Sequence, residues 1–96
     1  MKIMALNIEF EPKLWKLSGS ITYDEIPSLI EKTKNYDWSD SVQIDFSQVN
    51  HLDTSALSLI FELKRNAKKH NYSVTINTPP KNLLKLAKLY GVEDLI

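Results

Sequence analysis

The residue types best suited to chemistry in this chain of 96 stand together in the run VNHLDTSALSLIFELKRNAKKHN, residues 49 to 71. His51, Asp53 and Thr54 lie just before a strongly patterned stretch. Asp and Thr are both preferred at a helix N-cap, because their oxygens accept backbone N–H groups that have no partner inside the helix. Capping by Asp53 is therefore the plain reading. It leaves the Thr54 hydroxyl free in the first turn, where the helix dipole favours added negative charge. A free hydroxyl there is also a place where another protein, or a kinase, could read the domain.

Other chemistries find less support. His51 with Asp53 supplies two ligand types on one loop, which does not make a metal site. The chain has no cysteine, so disulfides and thiolate zinc sites are excluded. Ser, His and Asp are present without a nucleophile-elbow pattern. With Gly19 and Gly91 the only glycines, no Gly-rich phosphate loop can form. No catalytic residues, no metal and no cofactor are expected, and any ATP site must come from a partner.

Composition frames these residues. The length suits a single domain over residues 1–96, with one modest core of two packed layers. Apolar residues make up 43% and charged residues 25%, an ordinary globular mixture. Twelve Lys and Arg balance twelve Asp and Glu, which argues against nucleic-acid binding through a strong electrostatic footprint. The start MKIMALNIEFEPK is broken by Asn7, Glu9 and Glu11 and does not read as a signal peptide. No run approaches a membrane span, so a soluble cytoplasmic protein is expected, compatible with a seat on a membrane complex.

The elements that position Asp53 and Thr54 follow from periodicity. Met4, Leu6, Ile8 and Phe10 alternate with other residues as in a strand with one buried face. A turn at Pro12 and a second strand in LWKLS complete a hairpin, and Gly19 breaks the pattern. Ile26, Leu29, Ile30 and Thr33 predict a helix over about 25–35, with Pro27 in its first turn and Thr22 or Asp24 as cap. SVQIDFS is a strand with Val42, Ile44 and Phe46 on one face. QVNHL reads as a short connection to the helix Thr54–Lys69. YSVTIN is a further strand. TPPKNLLKLAKLYG is a last helix with Thr78 as N-cap, Pro79 in the first position and Gly91 as the stop. The order β-β-α-β-α-β-α implies an α/β domain with parallel strand pairs.

The central helix divides into faces at about a hundred degrees per residue. Ala56, Leu59, Ile60, Leu63 and Ala67 form the stripe expected on the sheet. Leu57 and Phe61 lie well round from it, on the side of Thr54, Ser58 and Arg65. Either a neighbouring helix covers them, or they form an apolar patch for a protein partner with Thr54 at its edge. The candidate partner face is therefore Thr54, Leu57, Ser58, Phe61 and Arg65. In the last helix, Leu83, Leu86, Ala87 and Tyr90 form a core stripe. Lys81, Lys85 and Lys88 form a separate face that suits solvent, an acidic partner or anionic headgroups.

The stretch VQIDFSQVNHLDTSALSLIFELKRNAKKHNYSVTI resembles the heart of a STAS domain, the fold of anti-sigma-factor antagonists. In that family a hydrophobic strand ending in Asp, here Asp45, leads to an Asp-Ser or Asp-Thr pair that opens a helix, here LDTSAL. LSGSIT matches the family's Leu-Ser-Gly turn, and the tail LLKLAKLYGVEDLI is similar to the MlaB branch, the STAS subunits of Mla phospholipid-transport ABC complexes. The chain departs from many relatives in having Ala56 where they have Gly, and Ala is the better helix former.

The resemblance implies a STAS fold with a four-stranded mixed sheet and helices packed on it. It implies a non-enzymatic subunit that binds and supports an MlaF-like ABC ATPase, in a complex with a permease and a lipid-binding membrane subunit. The protein would be cytoplasmic, peripheral to the inner membrane through its partner, and would serve outer-membrane lipid asymmetry. In the MlaB branch the position of Thr54 is a threonine important for engaging the ATPase. In the signalling branch the same position is phosphorylated, so the alternative is an anti-sigma-factor antagonist switched at Thr54.

Overall fold

The computed structural model describes residues 6–96, so the expectation for Met4 lies outside the described residues. A hairpin of β1 (Asn7–Glu11) and β2 (Leu14–Ile21) leads to α1 (Ile26–Lys34). Then come β3 (Val42–Leu52), α2 (Ser55–Lys69), β4 (Val74–Asn77) and α3 (Lys81–Leu89), with a closing 3-10 turn at Glu93–Leu95. The strands form one sheet in the order β1-β2-β3-β4. The hairpin is antiparallel, whereas β2–β3 and β3–β4 are parallel. The sheet is therefore mixed, as expected from a hairpin followed by two helical crossovers.

Alternation of side chains gives the sheet one apolar and one polar face. Trp15, Leu17, Val42, Ile44, Phe46, Val74 and Ile76 are buried in one cluster with Leu29, Leu59, Ile60, Leu63, Leu83 and Ala87 of the helices. The opposite face stays wet, with Glu9, Lys16 and Asp45 side by side across three strands in register. At one end of the core Trp15 is fully buried at the centre of an aromatic group. Its ring lies 5.1 Å from Phe10, 4.8 Å from Tyr36 and 5.4 Å from Trp38. Such rings bury large apolar area and favour the tilted and edge-on arrangements seen here.

Several expected boundaries are corrected. QVNHL is not a connection: β3 continues through it and pairs with β2 as far as Ile21–Leu52. Register shifts between Lys16 and Ser18 and between Gly19 and Ser20 insert extra residues into the ladder. Bulges of this kind break the two-residue period, which is why the alternation vanishes from the sequence there. In α1, neither Thr22 nor Asp24 caps: Glu25 holds the N-cap position without a side-chain cap bond, and its N–H donates to the Thr22 carbonyl at 2.9 Å in a turn.

In α3, Thr78 does not cap and Pro79 is not the first helical residue. Pro80 occupies the N-cap position in extended conformation, and Thr78 turns the chain at φ 51°. Two consecutive prolines explain the delay, since the residue before a proline is held away from the helical region. Gly91 stops this helix as expected. At φ 68° its N–H donates to the Lys88 carbonyl, and the Val92 N–H donates back to Ala87 at 2.8 Å. Asn71 closes α2 in the same way at φ 65°, with the Tyr72 N–H on Ala67 at 2.9 Å.

Candidate functional site

Where β3 ends, the Asp53 N–H donates to the Ile21 carbonyl at 3.1 Å, so the strand tip is fixed before the chain turns into α2. The Asp53 carboxylate then works in two directions. One oxygen accepts the Ser55 N–H at 2.9 Å and also the Ser55 hydroxyl. The other accepts the Tyr23 N–H at 3.2 Å, from the loop ahead of α1. Asp53 thus supplies the side-chain acceptor at the start of α2 and ties two loops together. Its partial burial pushes the carboxyl up. The Ser55 and Tyr23 donors and the His51 charge outweigh that effect and hold it below the usual carboxylate range.

Thr54 holds the N-cap position with helical backbone angles, φ −62° and ψ −20°, and makes no side-chain cap bond. It is exposed. The helix start is thus one residue later than a cap at Asp53 requires, with the Asp53 carboxylate engaged by Ser55 and Tyr23 and the Thr54 hydroxyl making no cap bond.

Beyond Thr54 the outer side of α2 opens into a depression of about 540 Å³. It is lined by Asp53 and Thr54 just ahead of α2 and by Ser55, Leu57, Ser58 and Phe61 on the helix. Tyr23 and Tyr90 stand at its edges from the loop before α1 and the end of α3. Leu57 is buried with 6% exposure, so for this residue the covered reading is the right one, while Phe61 is half-buried. Ser58 is exposed one turn from Thr54. Arg65 does not reach the depression; it lies farther along α2 in an exposed ion pair with Glu62.

The sequence does not mark Tyr23, and it assigns Tyr90 to the core rather than to this site. Tyr90 was expected in the core stripe of α3, yet it is 58% exposed, because it follows the last helical turn and caps it. Tyr23 is 73% exposed in a loop thirty positions from Asp53. No local pattern places either beside α2, since only the folded chain brings these segments together.

A hydroxyl, a half-buried Phe and two exposed Tyr rings around a shallow basin offer apolar contact with a few polar anchors. Among the described residues no group of three His, Cys, Asp or Glu is arranged to hold a metal ion. No helix among them is long and apolar enough to cross a membrane.

Solved structures with a similar fold include the anti-sigma factor antagonist SpoIIAA in its unphosphorylated form. It is 15% identical with a TM-score of 0.74, over 95% of this chain and 84% of that one. The Bacillus cell fate determinant SpoIIAA in the phosphorylated form is 14% identical with a TM-score of 0.68, over 95% and 87%. At these identities the likeness shows the fold: α/β of STAS type. A curated relative, the intermembrane phospholipid transport system binding protein MlaB of Haemophilus influenzae, is 34% identical over 55 residues. That stretch is 57% of this chain and about half of the relative, 52% of its length. The model of the Mlab STAS domain matches residues 4–96, nearly the whole sequence, and the chain therefore belongs to the Mlab STAS-domain family.

Proposed function

We propose that this chain is a non-enzymatic STAS subunit that docks on the ATPase of an Mla-type ABC transporter and supports phospholipid transport that maintains outer-membrane lipid asymmetry. The observation that carries the reading is the family match over residues 4–96, joined to an exposed, uncommitted Thr54 hydroxyl at the rim of a basin. The docking face centres on Thr54, Ser58 and Phe61 over the buried Leu57, the fold adds Tyr23 and Tyr90, and Arg65 lies farther along α2 as its outermost candidate. Its seat is cytoplasmic, at the inner membrane through the partner complex, which holds a permease and a lipid-binding membrane subunit.

No catalysis is needed in this role. The partner supplies the nucleotide site. A subunit that binds one arrangement of the ATPase dimer better than another shifts its population by the difference in affinity. Co-expression with the ATPase subunit of the source organism's Mla-type transporter tests this. A complex that survives purification, with ATPase activity or stability reduced when this chain is omitted, is the expected result. Separate elution with unchanged ATPase activity contradicts it.

A second reading is favoured by the exposure of Thr54 at a helix start that tolerates negative charge. In it the chain is an anti-sigma-factor antagonist, switched off when a cognate kinase phosphorylates Thr54. Stoichiometric modification mapped to Thr54 by such a kinase decides for this reading, and its absence decides for transport.

A further inference from the structure

The first 53 residues and the rest of the chain differ in charge, although the whole is neutral. From Thr54 onward there are seven Lys or Arg and three Asp or Glu. The sharpest concentration is on α3, which has three lysines and no acid. Leu83 and Ala87 point into the core, and the opposite side carries Lys81, Lys85 and Lys88, all exposed. Among the described residues none of the three lysines takes part in an ion pair. Leu84 and Leu89 flank this crown at 47% and 75% exposure.

The lysine side meets the Thr54 region through Lys85 and Leu89, while Leu84, Lys85 and Lys88 border a separate hollow that also holds Glu93. A second depression of about 430 Å³ has Asp53, Thr54 and Leu52 on one side and Lys85, Leu86 and Leu89 on the other. Thr54 is thus a ridge shared by two hollows, one toward Phe61 and one toward α3.

We propose that Lys81, Lys85 and Lys88, with Leu84 and Leu89 beside them, form a second docking surface that takes an acidic face of the same partner protein; this rests on the reading that the Thr54 basin docks a partner. Carboxylates on the partner pair with the lysines, and an apolar side chain enters the hollow beside Leu89. A bilayer fits the pattern poorly. Leu84 and Leu89 are separated by about 140° around the helix axis, with the lysines between them. A flat apolar layer cannot receive both leucines without taking in the lysines first, whereas a surface-seeking helix gathers its apolar residues on one side. A concave protein surface meets all five. Rim charges of this kind act mainly on association rate and salt dependence.

The test is titration of the full chain with the purified ATPase subunit of the source organism's Mla-type transporter, at low and high salt. The variants are Lys81→Ala/Lys85→Ala/Lys88→Ala, Thr54→Glu and, as a control on α1, Lys32→Ala/Lys34→Ala. Alanine is the best helix former, so the triple variant keeps α3. The expected result is affinity about tenfold lower for the triple variant, with a flatter salt dependence, and an unchanged control. If the triple variant binds like wild type while Thr54→Glu does not, the lysine surface is idle and the inference falls alone. If wild type does not bind, the proposed function falls and takes the inference with it. Co-sedimentation with phosphatidylglycerol vesicles that the triple variant loses, without loss of ATPase affinity, overturns the inference in favour of headgroups.

Discussion

The Asp53 carboxylate accepts the Tyr23 backbone N–H at 3.2 Å while its other oxygen accepts the Ser55 N–H at 2.9 Å. One side chain therefore sets the loop before α1 against the first turn of α2, and fixes the two edges between which Thr54 is presented.

Replacing that acid tests its role. Asp53→Ala removes the acceptor for both loops and is expected to cost about 1–2 kcal/mol, a fall of roughly 4–8 °C in Tm per kcal/mol for a domain of this size. Asp53→Asn retains an oxygen and costs less. The pH dependence has a definite sign. Because the folded-state pKa is lowered, the charge contributes stability above the unfolded value of about 3.9, and the contribution is lost as pH falls through the folded value. The gap in stability between wild type and Asp53→Asn should therefore close on acidification below about pH 4 and stay constant above about pH 6. A gap that is the same at all pH values would show that the carboxylate's charge contributes nothing.

Gly91→Ala isolates a backbone effect. The residue sits at φ 68°, and an added Cβ would meet no atom within 4 Å. Only the conformational cost remains, about 1–2 kcal/mol, read by chemical denaturation. A larger loss would point to a steric contact that the structure does not contain.

Trp15→Ala should be among the most damaging core changes. Its ring is fully buried against Phe10, Tyr36 and Trp38, and truncation of such a residue costs about 3–5 kcal/mol. Denaturant unfolding with an unchanged midpoint would show that the aromatic group does not hold this end of the sheet to the helices.

Arg65→Ala should change stability by no more than about 0.5 kcal/mol, because its pair with Glu62 is exposed. If the docking face runs this far along α2, affinity for the ATPase falls about two- to fivefold, as for a residue at an interface rim. Unchanged affinity confines the face to the basin around Thr54.

These residues were not equally legible in the sequence. Ala56, Leu59, Ile60, Leu63 and Ala67 repeat with helical period, and all are buried, so the inner face of α2 could be read directly. The start of α2 could be read to within a residue because capping signals are local, although Thr54 rather than Asp53 holds the N-cap position. The continuation of β3 could not, since its bulges erase the alternation that identifies a strand. The proline pair at 79–80 moved the start of α3 inward. The basin was legible only on its α2 side. Tyr23 and Tyr90 join it through long-range packing, which leaves no periodic trace. The same is true of the aromatic group around Trp15, whose members come from β1, β2, and the segment after α1.

The central claim is that the Thr54 face meets the ATPase, and Thr54→Glu addresses it through two readings on one sample. A carboxylate at the exposed start of α2 suits the helix dipole, so the isolated variant should melt within about 3 °C of wild type. The same charge buried without a partner at an apolar interface is costly, and affinity for the ATPase should fall at least about a hundredfold. Thr54→Ser, which keeps the hydroxyl, should remain within about threefold of wild type. Wild-type affinity in Thr54→Glu, or binding lost only because the domain no longer folds, would contradict the account and leave Thr54 as a residue at the start of a helix and nothing more.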